Sequence, residues 1–186
     1  MMLQNDVFLA FKELGWKIGR DEVGERLASY SLGDVEITII MRLEPRRIGK
    51  RLLIYKSVGL CKLDAIIGDI SDRKPVHVPI ITGDEDIRQL EFGFSDIRSL
   101  SKRLIEWGEG QDIKAALRKL RELPTDAKGA FPRRHLGALA LAGDVGRLKF
   151  YQQAFERGDR LGFVPYVSKD MIDRAVEIAK AATAVS

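Results

Sequence analysis

The pattern of apolar residues changes near residue 108, and this change constrains the fold more than any other feature of the sequence. Before this point, short runs alternate between apolar and polar residues, as in strands with one buried face. After it, apolar residues recur every three or four positions, as in amphipathic helices. The sequence therefore predicts an α+β fold, with a sheet domain over residues 1–107 and a helical region over residues 108–186. It leaves open whether the two parts share one core.

The sheet domain is predicted to begin with a helix over residues 5–14 and to continue as an antiparallel β-meander of about five strands. The clearest signal is a hairpin that joins two alternating runs across Gly33-Asp34. Further strands are predicted over residues 52–58, 60–70, 76–81 and 90–94, with the acidic residues 83–86 in a turn. For residues 60–70 the apolar run fits either a strand or a helix, and we favour a strand. A helix over residues 96–107 is predicted to close this domain.

The helical region is predicted to contain about four helices, because capping residues and helix breakers agree with the apolar periodicity. Asp112, Asp144 and Ser168 are the predicted N-caps, and Pro132 is a predicted first-turn residue. The segment His135–Leu148 resembles the helical hairpin of ankyrin repeats. No second copy follows at the ankyrin period of about 33 residues, so we interpret the segment as a single helical hairpin.

The positive charge of the chain is concentrated in its C-terminal part. The net charge is +4, with 15 Lys/Arg against 16 Asp/Glu over residues 1–100 and 16 against 11 over residues 101–186. One candidate surface is a basic turn that could contact phosphates or the carboxylates of a partner, and it contains Arg46, Arg47, Lys50 and Arg51. A second basic surface is predicted from Lys114, Arg118, Lys119, Arg121, Lys128, Arg133 and Arg134. The alternative is that these charges only keep the surface solvated.

An apolar segment between the last two predicted helices is a candidate protein-contact patch. It carries Phe163 and Tyr166 where a loop would normally be polar. The alternative interpretation is that these two rings pack the last helix onto the sheet domain.

No motif in the sequence indicates a reaction. His77 and His135 have no second His or Cys at metal-ligand spacing, and Cys61 is the only cysteine. The sequence has neither a phosphate-binding loop nor a nucleophile elbow. We therefore predict no catalytic, cofactor-binding or metal-binding residue and no cofactor, although a dispersed active site stays open. The absence of a signal peptide and of a long apolar run predicts a cytoplasmic protein without a membrane partner.

These observations favour a bacterial-type, non-enzymatic module that binds a protein, as an adaptor, a chaperone-like factor or a toxin-immunity protein. The alternative is a nucleic-acid-binding protein that uses the basic turn of residues 46–51 and the basic C-terminal helices. An enzyme with a dispersed site is a second alternative. The identity of the protein partner and homo-oligomerisation are left open by the sequence.

Overall fold

A computed structural model describes residues 2–184 and divides the chain into two compact units. The sheet unit comprises Met1–Gly59 and Pro79–Gln111, and the helical unit comprises Leu60–Val78 and Asp112–Ser186. The sheet unit contains α1 (Gln4–Glu13), β1 (Lys17–Arg20), β2 (Arg26–Leu32), β3 (Val35–Pro45), β4 (Lys50–Leu60), β5 (Ile81–Gln89) and α3 (Phe94–Glu109). The helical unit contains α2 (Cys61–Ser71), α4 (Ile113–Arg121), α5 (Phe131–Leu141), α6 (Val145–Glu156) and α7 (Lys169–Ala184). The predicted α+β fold is confirmed.

The sheet is antiparallel, and its five strands lie in the order of the chain from β1 to β5. The predicted hairpin is confirmed, since Leu32 pairs with Val35 across the two-residue turn. Helices α1 and α3 contribute buried apolar residues to the core of this unit, together with one face of the sheet. Trp16 fixes α3 in this core, because its indole Nε1 donates a hydrogen bond to Ser101 Oγ at 2.8 Å.

Three predictions for the region around the last strand are wrong. Residues 83–86 lie in the middle of β5 instead of forming a turn, and neither 76–80 nor 90–94 forms a strand. Acidic residues have low strand propensity, but here Glu85 and Asp86 pair with cations on neighbouring elements. Those tertiary contacts outweigh the local preference for a turn.

The core of the helical unit is built around α5, which contacts α2, α4, α6 and α7. Seven residues of this helix are buried, namely Pro132 and all six residues from 135 to 140, whereas Arg133 and Arg134 are half-buried. Gly137 allows the close approach of α2, since a Cβ atom at this position would lie 2.6 Å from Cγ1 of Ile67. Helix α5 and helix α6 form the predicted helical hairpin.

The predicted strand over residues 60–70 is wrong, because this segment is the helix α2. Its buried residues Leu63, Ile67 and Ile70 recur at i, i+4 and i+7, which is a helical period. The helix joins the C-terminal helices in one core, so the helical unit includes a segment that precedes β5 in the chain. No helix within residues 2–184 is long and apolar enough to cross a membrane.

Candidate binding surface

The predicted basic turn between β3 and β4 is a cluster of both charge signs. Arg46 forms an ion pair with Glu44, and Arg51 lies 3.7 Å from the same carboxylate. Arg51 also makes a two-pronged contact with Asp86 of β5, with Nε and Nη2 donating to the two carboxylate oxygens at 2.9 and 2.8 Å. These hydrogen bonds from Arg51 are the main reason that the pKa of Asp86 falls to about 2.

The other two cations of this predicted surface, Lys50 and Arg47, differ in whether they have an ion-pair partner. Lys50 lies in β4, its side chain is only 10% exposed, and its Nζ contacts Glu91 at 3.0 Å and the carbonyl oxygen of Met2 at 2.6 Å. Arg47 is exposed and, within residues 2–184, has no ion-pair partner. The four cations therefore do not form a free basic patch, and only Arg47 is available to a ligand without breaking an ion pair.

The inner face of the sheet holds a second paired network. Glu85 accepts from Lys56 Nζ at 2.6 Å and from Arg103 Nη2 at 2.8 Å. Burial opposes ionisation of Glu85, but these two contacts outweigh it and lower the pKa of the carboxyl. The Lys56 ammonium also lies 4.7 Å from the centroid of the Trp107 ring. Cations of the sheet unit thus stabilise its own fold.

The second predicted basic surface, on α4, α5 and their connecting loop, differs from these networks. We call it the basic α4–α5 face, and it consists of Lys114, Arg118, Lys119, Arg121, Lys128, Arg133 and Arg134. Across the described chain, none of these seven side chains lies within 4.0 Å of a carboxylate oxygen. The structure therefore brings together cations that are not neutralised by the protein itself.

A cleft of about 350 Å³ lies between α4 and α5 on this face. Cationic side chains from α4 line it together with apolar side chains from both helices, namely Lys114, Leu117, Arg118, Arg121, Ala138, Leu141 and Ala142. The combination of apolar lining and unpaired cations is chemically suited to a ligand that has both apolar groups and negative charge.

His135 holds the two walls of this cleft in place. It is 1% exposed, and its Nδ1 lies 2.9 Å from the carbonyl oxygen of Leu120 in the last turn of α4. Because a carbonyl oxygen only accepts, Nδ1 carries the proton, and Nε2 accepts from Tyr151 Oη at 3.0 Å. Burial lowers the pKa of His135 and raises the pKa of Tyr151. Both groups are therefore neutral near pH 7, and His135 is a positioning residue rather than a ligand-binding one.

The helix caps that position α4 and α6 were predictable from the sequence. Asp112 accepts a hydrogen bond from the backbone N–H of Ala115 at 2.8 Å, and Asp144 accepts from that of Arg147 at 3.1 Å. Arg147 in turn donates from Nη1 to the carbonyl oxygen of Arg121 at 2.7 Å, which anchors the end of α4 to α6.

The two residues of the predicted apolar patch have different positions. Phe163 is 4% exposed and packs edge-on against Tyr151 at 5.3 Å between ring centroids, so it belongs to the core of the helical unit. The prediction that Phe163 lies in an exposed patch is therefore wrong, because its ring completes the contacts of this core. Tyr166 is 44% exposed, and its hydroxyl donates to the carbonyl oxygen of Gly129 at 2.6 Å. Its contact with a partner stays a prediction.

Comparison with known proteins identifies a family whose function is unknown. Neither a curated protein nor a solved structure is significantly similar to the chain. No group of three or more His, Cys, Asp or Glu side chains among residues 2–184 is arranged to hold a metal ion. Residues 3–180 match the model of a family of unknown function, and the match spans both the sheet and helical units. The chain belongs to this family, DUF6990.

Proposed function

We propose that this protein is a cytoplasmic, non-enzymatic binding module that captures an acidic segment of a partner protein in the cleft between α4 and α5. The observation that supports the proposal is the set of unpaired cations around an apolar lining. An adaptor, a chaperone-like factor or an immunity protein would all use such a surface.

The cations favour an acidic ligand for a physical reason. A cation that already contacts a carboxylate must exchange that contact before it binds a ligand, whereas an unpaired cation exchanges only water. Unpaired surface cations also attract an acidic partner before contact and so increase the association rate. The basic α4–α5 face has this property, and the ion-paired cations of the sheet unit do not.

The spacing of the cations fits a helical ligand. Lys114, Arg118 and Arg121 recur at i, i+4 and i+7, so they form one stripe along α4 that is about 10 Å long. A partner helix with carboxylates at the same spacing would face this stripe. Its apolar residues would then contact Leu117 and Leu141 in the cleft, in the manner of an amphipathic helix in a groove.

The decisive experiment compares two substitutions that change the charge equally. The variant Arg118→Glu reverses one cation of the cleft, whereas Arg157→Glu reverses an exposed arginine that does not line it. We expect the tagged wild-type protein and Arg157→Glu to capture the same stoichiometric protein from a nuclease-treated native lysate, and Arg118→Glu to lose it. Equal capture by both variants would contradict the proposal.

Nucleic-acid binding is the second candidate function. It is favoured by the charge of the helical unit, which has 17 Lys/Arg against 12 Asp/Glu, and by arginines that stack on exposed aromatic rings. Phosphate contacts would give a steep dependence of affinity on salt, because each contact releases counterions. Capture that disappears after nuclease treatment would favour this candidate over a protein partner.

A further inference from the structure

The first turn of α5 contains two arginines that lack an anionic partner. The Nε atoms of both Arg133 and Arg134 are shielded from solvent, and neither has a hydrogen-bond acceptor within the described chain. Buried donors are almost always paired, so each unpaired one indicates an acceptor that the protein alone does not supply. Water can accept from such donors, but two of them on adjacent cationic side chains favour an anion as the acceptor.

Aromatic rings hold the two guanidinium groups without neutralising them. The Cζ atom of Arg133 lies 5.3 Å from the ring centroid of Tyr166, and that of Arg134 lies 5.5 Å from the ring of Phe131. The hydrogen bond from Tyr166 to Gly129 fixes the first of these rings. Only the Nε atoms of the two arginines are shielded, and both side chains are half-buried, so a ligand can reach the outer nitrogens of the guanidinium groups from solvent.

The local electrostatic field also favours an anion. The N-cap residue of α5 is Ala130, no side chain caps the helix, and its first turn contains no acidic residue. The partial positive charge of a helix N-terminus therefore adds to that of the two arginines. Burial and the neighbouring charge of Arg133 both lower the pKa of Arg134, so this guanidinium lies where negative charge is lacking.

We propose that Arg133, Arg134 and the first turn of α5 bind a phosphomonoester carried by a phosphorylated residue of the protein partner. This inference rests on the proposed function, because it assigns the phosphate to the segment that the cleft captures. A phosphomonoester carries a charge of about −1.5 to −2 at neutral pH, which matches two guanidinium groups. A phosphodiester of a nucleic-acid backbone carries only half of that charge, so a monoester fits better.

The site is continuous with the cleft. Arg134, Ala138 and Leu141 recur at i, i+4 and i+7, so they share one face of α5, and the latter two line the cleft. A phosphorylated residue beside the captured segment would therefore meet Arg134. Phosphorylation of the partner would then control its capture.

The first test uses a small ligand and no partner. Phenyl phosphate is titrated into ¹⁵N-labelled full-length protein while the arginine Nε–Hε resonances are followed. We expect the resonances of Arg133 and Arg134 to shift in a saturable manner and that of Arg157 to stay unchanged. No shift at Arg133 and Arg134 would overturn the proposal.

The second test separates the phosphate site from the cleft. It uses a helical peptide of about 14 residues, or four turns, with glutamates along one stripe, leucines beside them and one terminal serine, in plain and phosphorylated forms. We expect phosphorylation to tighten binding about tenfold or more, the gain to vanish in Arg134→Gln and to persist in Arg157→Gln. Arg134→Lys keeps the positive charge but loses the planar guanidinium that donates two parallel hydrogen bonds. This variant should keep part of the gain in affinity.

The outcomes identify which proposal fails. Equal affinity for the two peptides would overturn the phosphate site and leave the proposed function standing. Shifts with phenyl phosphate but no binding of either peptide would support the phosphate site and contradict capture of an acidic helix. Tighter binding of a single-stranded oligonucleotide than of the phosphorylated peptide, at equal phosphate concentration, would overturn the phosphoprotein proposal in favour of nucleic acid. The circular dichroism spectrum of Arg134→Gln is the control that shows whether this variant is folded when the increase in affinity on phosphorylation is lost.

Discussion

The sheet unit and the helical unit use their cations in different ways. The sheet unit has 14 Lys/Arg against 15 Asp/Glu, and its cations on β4 contact carboxylates across the sheet or on neighbouring loops. The helical unit has an excess of cations, and the seven on its basic α4–α5 face contact no carboxylate within residues 2–184. The cations on β4 therefore stabilise the sheet unit, whereas those on the basic α4–α5 face are available to a ligand.

The largest expected difference concerns stability. Replacing Lys56 by Met removes a mostly buried cation from Glu85 and from the Trp107 ring, and we expect the free energy of unfolding of the sheet unit to fall by about 2 kcal/mol. Replacing Arg118 by Met should change stability by less than about 0.5 kcal/mol, because this exposed side chain has no partner to lose. Urea unfolding measures both.

Tryptophan fluorescence is a selective probe for the first variant, because Trp16 and Trp107 both lie in the sheet unit. The helical unit is followed by the NMR resonances of Tyr151 and Tyr166, because Tyr30 and Tyr55 lie in the sheet unit. A comparable loss of stability in the Lys56 and Arg118 variants would contradict the division between structural and available cations.

The two units are also expected to respond to acid in different ranges. Burial lowers the pKa of His135 in the folded state, so below about pH 6.5 the unfolded chain binds a proton that the folded helical unit does not. Its stability should therefore fall as the pH decreases from that point, by up to about 1.4 kcal/mol per pH unit, until the pH reaches the folded pKa. The variant His135→Gln should lose this dependence.

Asp86 makes the stability of the sheet unit depend on pH in a lower range. Its folded pKa of about 2 lies below the ordinary value of 3.8, so its contribution is present above pH 3.8 and is lost as the pH falls towards 2. Between pH 6.5 and 5 we therefore expect thermal unfolding followed by the resonances of Tyr151 and Tyr166 to shift before the transition followed by tryptophan fluorescence. Coincident shifts of the two signals would show that the units do not respond separately.

A smaller effect tests a single ion pair of the sheet. In Arg51→Ala the Asp86 carboxyl loses its main hydrogen-bond donor, and its pKa should rise from about 2 towards the ordinary value of 3.8. Arg88 remains 3.3 Å away, so the pKa should not recover completely. Carbon-detected NMR of the Asp86 carboxyl measures this directly, with Arg47→Ala as a control that should leave the titration unchanged.

The local parts of the fold were predictable from the sequence, and the parts that depend on distant residues were not. Asp112 and Asp144 cap helices because their hydrogen bonds reach only three residues along the chain. The segment over residues 60–70 is instead helical because it packs against α5, where Gly137 leaves room for the side chain of Ile67. The sequence around Phe163 likewise does not reveal that Tyr151 and Phe155 enclose its ring.

The same distinction applies to the candidate binding surface. The sequence identifies the basic residues of both predicted surfaces. Which of them form ion pairs depends on tertiary structure, for example on the register between two strands. Arg51 reaches Asp86 because β4 and β5 align Leu53 with Asp86 and Arg51 with Arg88, which places their carboxylate and guanidinium on one face. Glu122 follows Arg118 at i+4, but it is the C-cap of α4 and forms no ion pair with Arg118. The sequence thus predicted which segments carry the cations, and only the tertiary structure shows which cations lack an ion-pair partner and can bind a ligand.

Arg47 is an exposed cation without a carboxylate partner in the described chain, in a turn whose other cations are paired, and it carries the smallest expected effect. It is exposed and unpaired among residues 2–184, like the cations of α4, but it stands alone between Arg46 and Lys50, which contact carboxylates. A single exposed cation attracts an acidic segment weakly, so Arg47→Glu should leave stability within about 0.5 kcal/mol of wild type and partner capture unchanged. Capture by Arg47→Glu and Arg118→Glu is compared at equal protein and salt concentrations. If Arg47→Glu lost the partner as fully as Arg118→Glu, the turn between β3 and β4 would belong to the binding surface, and pairing would no longer distinguish the cations that bind from those that stabilise.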